Sequence, residues 1–418
     1  MIGNPVAGRS GKAIIMTTGR ILPPPSGEPC LLTPGPLTTA HSVKEAMLRD
    51  WGSWDGDFRA MTARLRRELL QIAEDDGSLD CVPMQGSGTF CVEAMLGSLI
   101  PHDGRTLVLS NGAYGQRMAA ILARMGRAHV VLDKGDYLPP RGAQVAQILA
   151  RDTTITDVAV VHCETSSGIL NPLREISDAA RAAGRRLWID SMSAFGALPL
   201  TPAEITFEGF VSSANKCIEG VPGFGFVIAR KEALARARGN AHSLSLDLHD
   251  QWDYMNRTGQ WRFTPPTHVV AAFLRALKLH REEGGVKARA ARYAHNRDVL
   301  VAGMRALGFE TLLSEAWLSP IIVTFFAPAH PAFDFQRFYD LMKQQGFIIY
   351  PGKLTRANSF RIGCIGQVDA HVMRQVTRAA AEALAAMGVP SGAPSPEALQ
   401  ERKRLSDCER SEEQISTH

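Results

Sequence analysis

The chain has 418 residues, 45% hydrophobic and 21% charged, with a formal net charge of +4. That composition supports a sizeable buried core and excludes global disorder. The weak positive balance has no Lys/Arg run interleaved with aromatics, which argues against nucleic-acid binding, and no apolar run approaches the ~18 residues of a membrane span.

Residues 1–29 are rich in Gly and Pro and read as a flexible N-terminal extension. From Leu31 onward, short apolar runs alternate with amphipathic segments. Strands are predicted at "TLVLSNG" (106–112), "HVVLD" (129–133), "DVAVVHCE" (157–164), "RLWID" (186–190), "GFVSSAN" (209–215) and "GFGFVIAR" (223–230). Helices are predicted between them over 89–100, 113–126, 141–151 and 173–184. Apolar, β-branched strands without polar alternation suit a sheet buried on both faces. Strand–helix alternation implies an α/β fold with a mostly parallel sheet and right-handed crossovers. Only a short loop separates 209–215 from 223–230, so that pair is expected to be antiparallel.

Beyond about Thr267 the texture changes. Two long helical stretches precede the strands "SPIIVTFFAP" and "FIIYPG", the segment "SFRIGCIG" and the helix "DAHVMRQVTRAAAEALAAMG". The reading is a large domain over 30–267, a smaller α+β domain over 268–388, and a disordered polar tail over 389–418. The seven cysteines are odd in number, scattered and never spaced as CxxC. They argue against a disulfide framework or a structural zinc site, and for a reducing compartment; cytoplasm is expected, with no metal.

Ligands of open α/β sheets bind at the carboxyl ends of the strands. Asp190 ends one predicted strand, Glu164–Thr165 another, and Lys216 follows a third. "PMQGSGTF" sets Gly, Ser and Thr before a helix, where free N–H groups and hydroxyls can cradle an anion. It is not a dinucleotide fingerprint, since Phe90 and Cys91 stand where the third glycine would come, and no GxxxxGK[ST] loop surrounds it. Taken singly, Lys216 reads as a solvated loop residue and Asp190 as a turn or cap. Together with the cradle they match the needs of pyridoxal phosphate: an amine for its aldehyde, a carboxylate for its ring nitrogen, and an aromatic such as Tyr114 to cover the ring. An amine among small and apolar residues is pushed toward its neutral, nucleophilic form.

The segments "LLTPGPLTT", "DWGSWDGDF", "MQGSGTF", "NGAYGQR", "HCETSSGILNPL", "WIDSMSAFGALPL", "SSANKCIEGVPGFGFVIAR", "WRFTPPTH" and "FRIGCIG" carry a family signature. Over roughly residues 30–388 the chain resembles the fold-type-I, class-V pyridoxal-phosphate aminotransferases, and most closely the branch exchanging the amino group of 2-aminoethylphosphonate with pyruvate. Alanine–glyoxylate and serine–pyruvate exchange are the alternatives within the same family. The resemblance implies that Lys216 carries the cofactor and shuttles the proton, and that Asp190 pairs with the ring nitrogen. It implies that Ser87, Gly88 and Thr89 bind the phosphate, that Tyr114 stacks on the ring, and that Thr165 hydrogen-bonds the ring hydroxyl or phosphate region. Thr264 would reach the phosphate from the other subunit, which implies a homodimer with shared sites. Arg361 would clamp the anionic group of each substrate. Ser53 and Trp54, within "WGSW", are candidate further donors to a phosphonate.

Overall fold

The computed structural model of the chain describes residues 27–353 and 356–416, so most of the expected 1–29 extension lies outside the described residues. Its main sheet has seven strands: β1 (Leu79–Gln85), β2 (Arg105–Ser110), β3 (Ala128–Asp133), β4 (Asp157–Val161), β5 (Arg186–Asp190), β6 (Gly209–Ser213) and β7 (Phe224–Arg230). They lie in the order β1-β7-β6-β5-β4-β2-β3. Only β7 runs against its neighbours, and the β6–β7 pair is antiparallel as the short loop requires. Strand β1 is absent from the sequence reading. Its "LDCVPMQ" carries Pro83, which cannot donate to a ladder, and the strand forms because it lies at the edge, where only β7 pairs with it.

The helices that cover this sheet include α1 (Gly56–Ile72), α2 (Gly88–Leu99), α3 (Ala113–Arg124), α4 (Gly142–Arg151), α5 (Leu173–Ala182) and α6 (Thr267–Glu283). The period of two along the strands sorts their side chains. Leu107, Leu109, Val158, Val160 and Ile189 pack with Leu65 and Leu69 of α1, Val145 of α4, Ile176 of α5 and Phe273 of α6. Val108, Ala159, Trp188 and Val211 pack on the other side with Met95 and Leu96 of α2 and Met118 and Leu122 of α3. Burial on both faces explains why the strands read as continuous apolar runs.

The C-terminal part adds α7 (Gly285–Ala306), α8 (Phe335–Gln344) and α9 (Ala370–Met387). These helices pack on a three-stranded antiparallel sheet of β8 (Ile322–Phe326), β9 (Tyr350–Pro351) and β10 (Ser359–Gly363), ordered β8-β10-β9. Its core centres on Phe309, Phe325, Phe338 and Phe360, with ring centroids 5.4–5.8 Å from Phe360 to the other three.

Two features depart from the sequence reading. Cys30–Leu31, grouped there with the large domain, instead pairs in parallel with Phe347–Ile348, and Cys30 and Leu32 join the C-terminal core. A two-residue strand carries too little pattern to reveal a partner more than 300 positions away. The tail expected to be disordered contains a helix, α10 (Pro396–Ser416). Pro396 occupies its first position and Ser395 Oγ accepts the Ala398 N–H at 3.2 Å. Ala398, Leu399 and Leu405 form a narrow apolar stripe on Tyr137, Leu138, Leu312 and Phe326, easily hidden in a polar sequence. Among the described residues no helix is long and apolar enough to cross a membrane.

A buried ion cluster joins the sheet to the C-terminal helices. Glu219, with φ +64°, accepts from Tyr293 Oη at 2.6 Å and Arg292 Nη2 at 2.8 Å, and Arg289 Nη1 lies 3.3 Å away. Arg292 Nη1 also donates to the carbonyls of Gly366 at 2.6 Å and Val368 at 3.0 Å. Glu283, at the end of α6, pairs with both arginines at 2.8 Å. Burial opposes the charge on Glu219, but the two guanidinia outweigh it and lower its pKa below 4.5. Its contribution to stability is therefore complete above that value and lost as pH falls through the depressed one. Glu219→Ala strands buried guanidinium charge and should cost about 3–5 kcal/mol at pH 7. Thermal melts should show the gap to wild type narrowing as pH falls below 4.5 and on through the depressed value; a gap that stays constant would refute a charge-based role.

Candidate active site

Asp190 is the last residue of β5, and Lys216 lies three residues beyond the end of β6. These strands are parallel neighbours with Asp190 in register with Val211, so both side chains arise at the same sheet edge. A cavity of about 220 Å³ opens there, lined by Lys216, Asp190, Tyr114 and Ser87–Thr89, together with Gly35, Arg117, Met192 and Asn215. A larger cleft of about 730 Å³ lies beside Phe326, Phe335 and Ala398. Among the described residues Asp334 is its only charged lining residue, so they offer it no amine and no cation, and the smaller cavity is the candidate site.

Lys216 is held by carbonyls. Its Nζ donates to Pro34 O at 2.8 Å and Gly35 O at 3.2 Å. Gly35 has φ +112°, and a Cβ there would stand 2.6 Å from Lys216 Cδ, so the close approach requires glycine. Burial pushes the Lys216 amine down to about 8, with Cys217 and Asp190 opposing and Lys353 and Arg117 adding to the shift. Burial raises the Asp190 carboxyl to about 6, although the Met192 N–H, 2.9 Å from its Oδ1, works against the rise.

Ser87 caps α2 in an extended conformation, yet its side chain makes no capping bond. The Phe90 N–H donates to Ser87 O at 3.0 Å, but the Ser87 hydroxyl and the Gly88 and Thr89 N–H groups face an anion site that the helix dipole favours. Gly88 keeps the approach open, since a Cβ would meet Met192 Sδ at 2.4 Å. Arg117 Nη1 donates to Thr89 Oγ1 at 3.0 Å and brings a cation to the cradle.

Tyr114 stands in the first turn of α3. Its N–H and that of Gly115 donate to Glu164 Oε2 at 2.9 and 3.2 Å, while Glu164 Oε1 accepts the Ser166 N–H at 3.1 Å. Arg117 Cζ and Lys353 Nζ each lie 4.8 Å from the Tyr114 ring centroid. Arg361, in β10, is buried and braced by Pro351 O to Nε at 3.0 Å and Thr165 O to Nη1 at 2.8 Å. Neither bond uses its Nη2.

The structure thus gathers Lys216, Asp190, Ser87, Gly88, Thr89 and Tyr114 around one cavity. Thr165 and Arg361 are not among its lining residues; the Thr165 carbonyl orients Arg361 instead. Thr264, Ser53 and Trp54 are exposed and also absent from the lining, with Trp54 73% exposed. Sequence reasoning missed Gly35, Arg117 and Lys353. Arg117 had a readable signal, three residues after Tyr114 on one helix face. Gly35 had none, because its partner lies 181 positions away.

A family model described as aminotransferase class-V matches residues 88–355. The chain is 71% identical over 380 residues to a 2-aminoethylphosphonate–pyruvate transaminase of Rhizobium meliloti, covering 91% of this chain and 99% of that one. It is 69% identical over 386 residues to 2-aminoethylphosphonate–pyruvate transaminase 1 of Paraburkholderia xenovorans, covering 92% and 99%. The fold superposes with a TM-score of 0.79 on pyridoxamine–pyruvate aminotransferase from Mesorhizobium loti, at 23% identity over 92% of this chain and 99% of that one.

The electrostatics give a direct expectation. Competitive labelling with an amine reagent, read by peptide mass spectrometry, should find Lys216 gaining reactivity as pH rises through about 8. A midpoint near the ordinary 10.5 would contradict the depressed amine.

Proposed function

The chain belongs to the class-V aminotransferase family, and from that premise we propose that it passes the amino group of 2-aminoethylphosphonate to pyruvate, releasing phosphonoacetaldehyde and L-alanine, with pyridoxal 5'-phosphate as cofactor. The observation that carries this reading is the depressed, carbonyl-held Lys216 amine sharing one cavity with Asp190 and an uncapped helix N-terminus. The substrate choice is supported by the names of the two close relatives.

The cavity fits the cofactor: Ser87, Gly88 and Thr89, backed by Arg117, would hold its phosphate, Tyr114 would cover its ring, and Thr165 would stand near its ring hydroxyl. Bound there, it supplies a carbonyl that takes up the amino group and a ring that accepts electron density from the substrate carbon. Lys216 in its neutral form attacks a carbonyl and moves a proton at the reacting carbon, and a pKa near 8 keeps that form accessible close to neutrality. Asp190 offers a buried carboxylate that holds a proton on a ring nitrogen; that cation in turn keeps Asp190 ionised.

Arg361 binds the phosphonate and then the carboxylate of pyruvate, since a planar guanidinium suits both anions. Its two braced N–H groups fix the plane and leave Nη2 for the ligand. The enzyme acts as a homodimer in the cytoplasm, with Thr264, Ser53 and Trp54 presented to the partner's site. The exposure of Trp54 and of Phe263, beside Thr264, supports that arrangement.

Mixing holoenzyme with each candidate amine tests the reading. 2-Aminoethylphosphonate should change the cofactor absorbance, Lys216→Ala should abolish the change, and borohydride should fix the cofactor onto the peptide containing Lys216. A response to alanine or serine but none to 2-aminoethylphosphonate would overturn the substrate assignment. Gly35→Ala should push Lys216 from its seat and weaken cofactor retention, measured by dialysis against buffer, while the thermal melt still shows a folded protein.

A further inference from the structure

We propose that Lys353 is a specificity-determining residue that, with Arg361, selects a doubly ionisable phosphonate over a carboxylate in the amine donor; this rests on the function proposed above. Lys353 follows β9, the short strand that pairs with β10 and sets Tyr350 opposite Arg361. The same strand braces the arginine, through the Pro351 carbonyl and through the Tyr350 ring 5.7 Å from its guanidinium carbon. Arg361 thus lies on the strand paired with β9, and Lys353 lies two residues beyond the end of β9. Lys353 Nζ reaches the Tyr114 ring, which lines the cavity, at 4.8 Å.

Charge is unbalanced here. Among the described residues no carboxylate forms an ion pair with Lys353 or with Arg361. The acid whose charge acts on both, Glu164, is engaged by the N–H groups of Tyr114, Gly115 and Ser166. Burial lowers the Lys353 amine, and Arg117 and Arg361 lower it further, so all three cations share one field. Arg117 is tied to the anion cradle through Thr89, which leaves Arg361 and Lys353 for the substrate. A carboxylate carries one charge and a planar oxygen pair, and Arg361 alone satisfies it. A phosphonate adds a third oxygen and a second ionisation, and a compact ammonium matches that surplus.

The test is the half-reaction rate of holoenzyme with 2-aminoethylphosphonate and with L-alanine, in wild type, Lys353→Met and Lys353→Arg. Lys353→Met should lower the ratio of kcat/KM for 2-aminoethylphosphonate to that for L-alanine by roughly 10- to 100-fold, the scale of one lost charge-assisted contact. The change should sit mainly in KM, and Lys353→Arg should recover most of the ratio. A ratio within twofold of wild type, through no loss or through equal loss with both amines, overturns the assignment and leaves the proposed function standing. Wild-type holoenzyme that reacts with L-alanine and not with 2-aminoethylphosphonate overturns the proposed function and this assignment with it.

Discussion

An ammonium withdrawn from water loses hydration worth several kcal/mol, and Lys216 is half-buried in the cavity wall. Two carbonyls, of Pro34 and Gly35, return part of what is lost. The remainder shows as a depressed pKa, which is the form of the group that chemistry at a carbonyl requires. The small residues near Lys216 follow from this. Gly35 must lack a side chain for its carbonyl to approach, and at Gly88 a Cβ would displace the Met192 side chain that borders the same space.

The amine depends on two parts of the chain that are distant in sequence. Residues 30–38 run from the C-terminal core to the cavity: Leu32 O accepts the Gly363 N–H at 2.8 Å, and Thr38 O accepts the Gln367 N–H at 2.7 Å. From the other side, the Glu219 cluster holds the turn after Lys216, where the Glu219 N–H donates to Lys216 O at 2.7 Å, and ties it through Arg292 to Gly366 and Val368. Both ties converge on the residues just after β10, the strand bearing Arg361. Lys216 and Arg361 are therefore fixed to one frame, although they lie far apart in the sequence.

Much of this was legible beforehand, for definite reasons. Strands buried on both faces announce themselves as apolar runs, and a parallel sheet delivers its ligands to the carboxyl ends. Asp190 and Lys216 could accordingly be singled out as a pair, from their strand-end positions taken together with the Gly/Ser/Thr cradle. What escaped lacked a local signal. Strand β1 is disguised by Pro83, which only its edge position tolerates. Helix α10 rests on a three-residue stripe in a charged sequence. Gly35 and Lys353 matter through contacts made across the whole fold, and no periodicity records such contacts. Thr264, Ser53 and Trp54 are exposed and, in a single chain, stand outside the cavity lining.

The seating of Cys30–Leu31 beside Phe347–Ile348 bears on how the molecule is made. During synthesis the segment that will cover Lys216 leaves the ribosome first, yet its docking edge is among the last parts to follow. The seven-stranded sheet can close while residues 30–38 are still loose, because none of its strands includes them. A nascent chain halted before residue 347 would therefore lack the edge on which Cys30–Leu31, just ahead of the carbonyls that seat Lys216, comes to rest.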